Sequence, residues 1–326
     1  MKAALYTAYG PPDVVQIAET EKPVPKDDEV LIKVLAASVN PYDWHFIRGE
    51  PYLIRLMAGL PKPKDQRLGS DVAGVIETVG GKVTQFKPGD EIFGSCRGAF
   101  AEYACTSESN VVSKPRNVSF EQAASVPIAA FTALQSLRLG GLVHDSPPGR
   151  TVLINGASGG VGTFAVQIAA AFGAEVTGVC STGNLEMVQS IGAARVIDYT
   201  KEDFTKVSRR FDIFLDNVGN HSLSACKSLL NSNGTYIAAG GSTDLWMFRP
   251  MARMVAQLVL SWIGTQKMLG IFAKASQDDL TILHNLMQAG KLTPVIDKTY
   301  ALSKLSDGIR YLEAGHARGK VVITVG

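Results

Sequence analysis

The segment 153–162, which reads LINGASGGVG, constrains the fold of this chain more than any other part of its sequence. An apolar stretch typical of a buried parallel strand runs there into closely spaced glycines, and residues 163–172 then have the apolar spacing of a helix. Glycines let the main chain turn tightly and approach a pyrophosphate, and the free amides of a helix N-terminus attract its negative charge. The pattern therefore predicts a dinucleotide-binding βαβ unit.

The glycines of this turn depart from the plain G-x-G-x-x-G fingerprint, and glycines alone are a weak signal. The strand before them and the helix after them strengthen the interpretation, because a phosphate site needs both. A serine in the turn adds a hydroxyl donor. The predicted cofactor contacts here are Gly156, Ser158, Gly159, Gly160, Val161 and Gly162.

The next predicted strand, residues 175–180, ends where the ribose of an adenosine is expected. Sites for NAD usually place a carboxylate there, about 20 residues beyond the glycines, and its charge repels a 2′-phosphate. Here the strand runs into a short polar loop with no acid before Glu186. The loop therefore favours NADPH, while NADH remains possible because no basic residue follows at once. The predicted contacts are Ser181, Thr182, Asn184 and, after the third strand, Tyr199 and Lys201.

Length and charge narrow the class of protein. A chain of 326 residues exceeds the size at which one core usually stops growing, which favours two sub-domains. Its net charge of +2 offers no basic surface for nucleic acid, so small-molecule partners are expected. The four cysteines have no C-x-x-C spacing and are typical of reduced thiols in the cytoplasm. The apolar stretch 254–264 is too short to span a membrane and favours a pocket cap or a subunit contact.

Changes in periodicity predict the domain organisation and an α/β fold class. Residues 1–122 alternate short β-like runs with Gly and Pro turns, which predicts a small β-barrel. Strands alternate with helices over residues 123–289, which predicts a doubly wound parallel sheet. Residues 290–326 return to strand, helix and strand, and we expect them to complete the first domain.

Five motifs carry a resemblance to a known family over essentially the whole chain. They are SVNPYDW at 38–44, LGSDVAG at 68–74, VG with FKPGD at 79–90, AASVPIAAFTAL at 123–134 and HARGKVV at 316–322. The chain resembles the medium-chain dehydrogenase/reductase superfamily and, within it, the zinc-independent quinone oxidoreductase and enone (2-alkenal) reductase branch. The resemblance implies a GroES-like catalytic domain and a Rossmann NADP-binding domain.

The same resemblance bears on metal binding. In the zinc alcohol dehydrogenases of the superfamily, a cysteine occupies the position of Asn40 and a His-Glu pair that of Ser70 and Asp71. Tetrahedral zinc prefers thiolate and imidazole ligands, so these residues make a poor set. His45 is a lone candidate that more often packs in a fold or lies on its surface. We predict no metal.

Without a Lewis acid, the acceptor must already be activated toward hydride, as a quinone or an α,β-unsaturated carbonyl is. Hydride from nicotinamide C4 reaches the β-carbon of an enone, and hydrogen-bond donors stabilise the charge that grows on the carbonyl oxygen. By resemblance, Asn40 faces this region and Tyr52 matches a donor tyrosine of related enoyl reductases. This chain has one more residue between Gly49 and Tyr52 than related quinone reductases have, so Tyr42 is an alternative candidate for the donor.

The remaining cofactor contacts follow from the resemblance alone. It implies a threonine near the nicotinamide, a turn beneath the adenosine, a loop that passes the nicotinamide and a lysine at the phosphates. These contacts are Thr132, Asn217, Val218, Gly240, Gly241 and Lys320. Related enzymes often carry arginine where Gly183 stands, and its absence weakens the preference for NADPH.

The sequence thus predicts an NADPH-dependent, zinc-independent reductase of quinones or enones. Apolar residues in the loops 50–66 and 242–264 favour a hydrophobic acceptor. The resemblance implies a homodimer through the edge strand near 269–272. Two alternatives stay open: an NAD(P)-dependent alcohol dehydrogenase, and a non-catalytic cofactor-binding protein of the crystallin type.

Overall fold

The computed structural model describes residues 1–240, 248–262 and 264–326, with side chains for all of these except 248–254. The strands, in chain order, are β1 (Lys2–Tyr6), β2 (Val15–Glu19), β3 (Glu29–Val39), β4 (Asp71–Val79), β5 (Glu91–Ser95), β6 (Tyr103–Ser107), β7 (Val111–Ser113), β8 (Thr151–Asn155), β9 (Glu175–Cys180), β10 (Arg195–Asp198), β11 (Phe211–Asp216), β12 (Leu230–Ala238), β13 (Lys267–Gly270), β14 (Ile296–Ala301) and β15 (Lys320–Thr324). The helices are α1 (Pro41–Arg48), α2 (Leu53–Ala58), α3 (Phe120–Ala124), α4 (Pro127–Leu139), α5 (Gly160–Ala171), α6 (Leu185–Ser190), α7 (Leu223–Ser228), α8 (Phe248–Trp262), α9 (Gln277–Gln288) and α10 (Leu305–Glu313). Among the described residues, no helix combines the length and the apolar composition that crossing a bilayer requires.

The first unit comprises residues 1–131 and 275–326. Its main sheet runs in the order β14-β15-β3-β4-β5-β7, with β6 also paired to β3, and a separate hairpin joins β1 to β2. Strand β15, from the C-terminal end of the chain, pairs antiparallel with β3. The C-terminal segment therefore belongs to the core of this unit.

The second unit comprises residues 132–274 and contains a six-stranded parallel sheet. Its strand order is β10-β9-β8-β11-β12-β13, and the order reverses between β8 and β11. Such a reversal is the switch point at which doubly wound sheets bind dinucleotides, beyond the carboxyl ends of the strands. The predicted α/β fold class is confirmed.

The limits of the two units differ from the domain limits expected from periodicity. The first unit extends to residue 131 rather than 122, and it takes in α9, which the sequence analysis assigned to the parallel-sheet domain. Helix α9 packs beside β7, and Asn117 Nδ2 donates to the carbonyl of Met287 at 2.8 Å. Periodicity identified the helix correctly but carries no information about which sheet it covers.

Aromatic packing fills one side of the parallel sheet. Phe214 is fully buried and meets Tyr236 and Phe204 edge to face, with ring centroids 5.2 and 6.0 Å apart. Such pairs add to the free energy that area burial alone supplies. The central strand β11 is therefore anchored by its own side chain as well as by its backbone ladder.

Replacing Phe214 by alanine is expected to lower the free energy of unfolding by about 3–5 kcal/mol, because the ring leaves a cavity in a packed core. Urea unfolding followed by circular dichroism measures the loss. Phe272→Ala is the control, since the Phe272 side chain is 83% exposed and its loss should change stability by less than about 0.5 kcal/mol. Equal midpoints for the two variants would contradict this account.

Candidate functional site

The glycine turn that opens α5 has the geometry of an anion site. Gly156 has φ of +76°, a left-handed conformation that glycine adopts without strain. A Cβ at Gly162 would lie 2.1 Å from the Gly156 carbonyl oxygen, so the first turn of α5 packs directly on the loop. No side chain caps the helix at Gly159. The first amides of α5 are therefore available to a ligand.

Two polar loops meet beside this turn. Asn184 Nδ2 donates to Ser158 Oγ at 3.2 Å and to Ser181 Oγ at 3.1 Å, which joins the β9 loop to the glycine turn. The Oδ1 atoms of Asn184 and Asn217 are buried and accept no hydrogen bond from residues in the described part of the chain. Buried polar atoms normally have one, and the exceptions often mark ligand sites. The second unit therefore fits a dinucleotide at this edge of its sheet.

A carboxylate that sequence reasoning missed lies at the same edge. Asp198 ends β10, the neighbour of β9, and accepts hydrogen bonds from Thr182 Oγ1 at 2.5 Å and from Thr200 Oγ1 at 2.7 Å. These bonds, that from Thr182 first, hold the pKa of Asp198 below its usual value. Lys201 Nζ lies 3.7 Å from Asp198 Oδ2 and offsets its charge. The prediction considered the acids that follow β9 and not those of the adjacent strand.

A cavity of about 310 Å³ opens beside this carboxylate. It is lined by the predicted contacts Tyr199 and Lys201, and also by Asn220 and His221. The His221 ring packs edge to face on Phe204, with centroids 4.7 Å apart. Tyr199 is exposed, which leaves its ring available to stack on a base. The cavity therefore brings together two residues that the sequence analysis named for the adenosine end.

The remaining predicted cofactor residues lie at other strand ends and in α4. Asn217 and Val218 follow β11, and a Cβ at Gly240 would lie 2.1 Å from the Asn217 carbonyl oxygen. Thr132 lies in α4. Gly241 lies outside the described residues. Contact of these residues with a cofactor stays a prediction.

A network of buried polar residues in the first unit includes Asn40 and Asp71, two of the positions that correspond to zinc ligands in the zinc alcohol dehydrogenases. The Asp71 carboxylate accepts from Ser38 Oγ at 2.8 Å, from Asn40 Nδ2 at 2.8 Å and from the backbone amide of Ile128 at 3.0 Å. Lys320 Nζ lies 3.7 Å from Asp71 Oδ2. Burial raises the pKa of Asp71 and lowers that of Lys320, and the attraction between them opposes both shifts.

Lys320 is committed to this network. Its side chain is 3% exposed, and its Nζ donates to Asn40 Oδ1 at 2.5 Å. Asn40 in turn spends its amide hydrogens on Asp71 and on the Ser38 carbonyl. The contact of Lys320 with cofactor phosphates and the contact of Asn40 with substrate stay predictions. The bonds that the structure describes for both side chains are internal to the first unit.

The residues of this network do not fit a zinc ion. The amide of Asn40 and the carboxylate of Asp71 replace softer ligands, and the Lys320 ammonium already neutralises the carboxylate. Burial raises the pKa of the nearby Cys96 thiol, which disfavours the thiolate that zinc needs. His45 Nδ1 lies 2.8 Å from the Glu50 carbonyl oxygen. Among the residues that the structure describes, no three His, Cys, Asp or Glu side chains cluster as a metal site does.

Asp43 is a second buried carboxyl in this region. It accepts from the backbone amide of Asn40 at 2.7 Å, at the start of α1, and from that of Gly69. Burial raises its pKa from 3.8 to about 7, against these bonds and aided by the charge of Asp71. Burial therefore brings the pKa of the Asp43 carboxyl close to neutral pH.

The two candidate tyrosines lie on the surface of the first unit. Tyr42 is in α1 with its ring 4.3 Å from that of Phe46, and burial raises the pKa of its phenol. Tyr52 precedes α2, and the guanidinium of Arg55 lies over its ring at 4.7 Å. Both side chains are about half exposed, so each phenol is accessible to a ligand. The geometry of the first unit does not choose between them.

Two glycine substitutions separate folding from cofactor binding. Gly162→Ala is expected to destabilise the turn, because its Cβ would overlap the Gly156 carbonyl. A Cβ at Gly159 meets only that carbonyl, at an ordinary 3.5 Å, so Gly159→Ala should fold normally yet crowd a bound phosphate. We expect its Kd for NADPH to rise by about tenfold or more, a loss of about 1.4 kcal/mol. Thermal melting and fluorescence titration measure the two effects. Unchanged NADPH affinity in Gly159→Ala would argue against a phosphate site.

Asp43 is expected to make stability depend on pH. Because its native pKa lies above the unfolded value, its contribution is fully present below about pH 4 and is lost as the pH rises through about 7. The stability of the natural protein relative to Asp43→Asn should therefore fall over this range, by up to about 4 kcal/mol. Urea midpoints at several pH values measure the difference. The control is Asp278→Asn, a substitution of an exposed aspartate. Parallel curves of stability against pH for all three proteins would refute the raised pKa of Asp43.

Family models match both parts of the chain. Residues 26–116 match the alcohol dehydrogenase GroES-like domain, and residues 191–323 match the model described as zinc-binding dehydrogenase. The second match supports the dehydrogenase fold, whereas the side chains of the network described above do not form a zinc ligand set.

Known proteins align over nearly the whole chain. The 2-methylene-furan-3-one reductase of Solanum lycopersicum is 35% identical over 99% of this chain and 79% of its own length. The NADPH-dependent alkenal/one oxidoreductase of Arabidopsis thaliana chloroplasts is 32% identical, with the same coverage. The solved quinone oxidoreductase of Coxiella burnetii superposes with a TM-score of 0.86 at 29% identity, over 100% of this chain and 99% of its own. The chain therefore belongs to the medium-chain dehydrogenase/reductase superfamily and is an oxidoreductase of its quinone oxidoreductase and enone reductase branch.

Proposed function

We propose that this enzyme transfers hydride from NADPH to quinones or to the activated C=C bond of α,β-unsaturated carbonyls, and that it does so without zinc. The observation that carries the proposal is the ammonium of Lys320 beside the Asp71 carboxylate, bonded to Asn40. The Lys320 ammonium compensates the negative charge of the Asp71 carboxylate, so this carboxylate needs no metal cation beside it. An unactivated ketone gains no polarisation from such a site, so the acceptor must bring its own.

NADPH is favoured over NADH by the groups around the β9 loop. Lys201 supplies an ammonium there, and the amide of Asn184 donates to the hydroxyls of Ser158 and Ser181, which leaves the hydrogens of these two hydroxyls for a phosphate. The Asp198 carboxylate, which would repel a 2′-phosphate, is held by two threonine hydroxyls and lies within reach of Lys201. The relative from Arabidopsis thaliana is described as NADPH-dependent, which agrees with this choice.

The reaction that we propose divides simply between cofactor and protein. Bound NADPH supplies a hydride, so the acceptor gains two electrons and one hydrogen, and a proton from the protein or water completes the reduction. A phenol of the first unit, Tyr42 or Tyr52, donates a hydrogen bond to the oxygen on which negative charge grows. The raised pKa of Tyr42 keeps that phenol protonated at neutral pH. Lys320 donates to the Val39 carbonyl and to Asn40 Oδ1, so Asn40 and Lys320 fix the junction between β3 and α1.

The acceptor that we propose is hydrophobic. Several apolar side chains of α2 and of the loop that follows it are exposed to water on the first unit. They are Leu53, Leu56, Met57 and Leu60. Exposed apolar surface of this kind is typical of a binding site for an apolar ligand.

Two further properties are proposed with the activity. Strand β13 ends the parallel sheet, and its free edge is suited to pairing with the same edge of a second copy, as in a homodimer. Cys96, Cys105 and Cys180 are present as free thiols, which supports the cytoplasm as the location of the protein.

The decisive experiment follows reduced-nicotinamide absorbance with chelator-treated protein. Quinones, enones and enals should be reduced with NADPH, while saturated ketones should react at least a hundredfold more slowly in kcat/KM. Added zinc should not change the rates. Oxidation of simple alcohols would instead favour an alcohol dehydrogenase. Tight NADPH binding without turnover on any acceptor would favour a non-catalytic protein.

A matched pair of lysines tests the cofactor preference in the same assay. Lys201 and Lys206 are both exposed, and each lies 3.7 Å from an aspartate three residues before it in sequence. Lys201→Ala should raise the KM for NADPH by about tenfold and leave that for NADH unchanged, since it removes one cation from a phosphate site. Lys206→Ala should change neither. A natural protein that prefers NADH would overturn the assignment of NADPH.

A further inference from the structure

The described half of α8 carries an apolar stripe on the surface of the second unit. Val255, Leu258, Val259 and Trp262 are 58%, 60%, 49% and 86% exposed. Their spacing of three, four and seven residues puts them on one face of the helix. We call these four residues the α8 stripe.

Packing of the opposite face fixes the orientation of the stripe. Ala256 and Leu260 pack against the core of the second unit, and Gln257 is buried. Ser261 Oγ accepts from the Met268 amide at 2.8 Å and donates to its carbonyl at 3.0 Å, which ties the end of α8 to β13. The helix therefore cannot turn the stripe inward without breaking this packing.

The sequence segment that contains the α8 stripe carries charges of one sign only. Residues 245–277 contain no Asp or Glu and include Arg249, Arg253, Lys267 and Lys274. This segment carries +4 in a chain of net charge +2, which leaves −2 for the rest of the chain. Lys267 is exposed directly before Met268, to which the end of the stripe-bearing helix is bonded.

A second exposed aromatic side chain lies in the segment that follows β13. Phe272 follows β13 and is 83% exposed, and the exposed Lys274 comes two residues later. Both segments thus combine an exposed aromatic ring with a nearby lysine. Tryptophan and phenylalanine beside basic residues are typical of helices and loops that lie in the headgroup region of a bilayer.

We propose that the α8 stripe docks this protein on the surface of an anionic phospholipid bilayer. The apolar side chains enter the boundary between headgroups and acyl chains, while Lys267 and Lys274 face lipid phosphates. Each basic residue near such a surface strengthens binding by about fivefold. The attachment is peripheral, and it is independent of the reaction that the enzyme catalyses.

Charge favours a lipid surface over a second copy of the chain as the occupant. A two-fold contact of stripe on stripe would bring two basic segments together with no acid in either to compensate them. Pairing of two β13 edges takes place in the plane of the sheet and does not require the outward face of α8. An anionic bilayer satisfies both the apolar face and the charge.

Co-sedimentation of the full chain with phospholipid vesicles tests the proposal. Vesicles of equimolar phosphatidylcholine and phosphatidylglycerol should bind the protein at least tenfold more tightly than vesicles of phosphatidylcholine alone, and added salt should weaken the binding. Leu258→Ser/Trp262→Ser should lose at least tenfold in affinity. Lys267→Glu/Lys274→Glu should lose the preference for anionic vesicles.

Matched controls separate the stripe from general effects. Val24→Ser removes an apolar side chain that is 85% exposed on the first unit, and it should bind vesicles as the natural protein does. Lys33→Glu/Lys82→Glu makes the same change of net charge on the first unit and should keep most of the binding. Circular dichroism checks that each variant is folded.

Tryptophan fluorescence gives a second readout. Phospholipids with brominated acyl chains should quench the emission of the natural protein. Trp262→Phe should still sediment with anionic vesicles, because phenylalanine keeps the apolar contact, but should lose most of the quenching.

Failure of the natural protein to bind anionic vesicles would overturn the proposal, as would unchanged binding by Leu258→Ser/Trp262→Ser. Analytical ultracentrifugation identifies the rival. An oligomer that this double variant dissociates, in a protein that does not bind vesicles, would assign the stripe to a second copy.

Discussion

The carboxylate of Asp71 joins segments of the first unit that lie far apart in sequence. It receives hydrogen bonds from Ser38 in β3, from Asn40 before α1 and from the amide of Ile128 in α4, and Lys320 at the start of β15 faces it. Burying a charge is unfavourable unless partners compensate it, so these bonds act as a set. Losing one donor leaves a charge uncompensated as well as a bond unmade. The C-terminal strand β15, the strand β3 and the first residues of α4, all within the first unit, are therefore held in one arrangement by the same anion.

The two units treat buried polar groups in opposite ways. In the first unit, the charges of Asp71 and Lys320 and the amide of Asn40 satisfy one another. In the second unit, the buried Oδ1 atoms of Asn184 and Asn217 accept no hydrogen bond from the residues that the structure describes, and the N-cap of α5 is Gly159, which has no side chain to bond the first helix amides. Leaving such groups unpaired costs free energy that a ligand recovers when it binds. From this asymmetry we expect polar groups to recognise a ligand at the parallel sheet, while the first unit offers exposed phenols and apolar side chains.

Local periodicity predicts the alternating strands and helices of the second unit and the glycine turn, because those depend on residues close in sequence. It does not predict α1 and α2, which lie in the region expected to contain only short strands and turns. It could not assign α9 to a unit, since an amphipathic helix does not encode which sheet it covers. Lys320 was named for its resemblance, but its bond to Asn40 joins residues 280 positions apart, which no spacing reveals. Asp198 could have been predicted from the sequence, because the strand that follows β9 in a doubly wound sheet often pairs with it, and here that strand ends in a carboxylate. The apolar stretch in α8 was noticed, yet only the structure separates its exposed stripe from its buried face.

The identities of residues 40, 71 and 320 depend on one another. A buried carboxylate at position 71 requires a cation close by, and in this chain the cation is the ammonium of Lys320 at 3.7 Å rather than a metal. That ammonium in turn needs a neutral acceptor, which Asn40 supplies and a cysteine thiol would supply poorly. Introducing zinc ligands at positions 40 and 70 alone would place a second cation beside Lys320 and meet its repulsion. The side chain that compensates the buried Asp71 carboxylate therefore also opposes a metal cation at the same place.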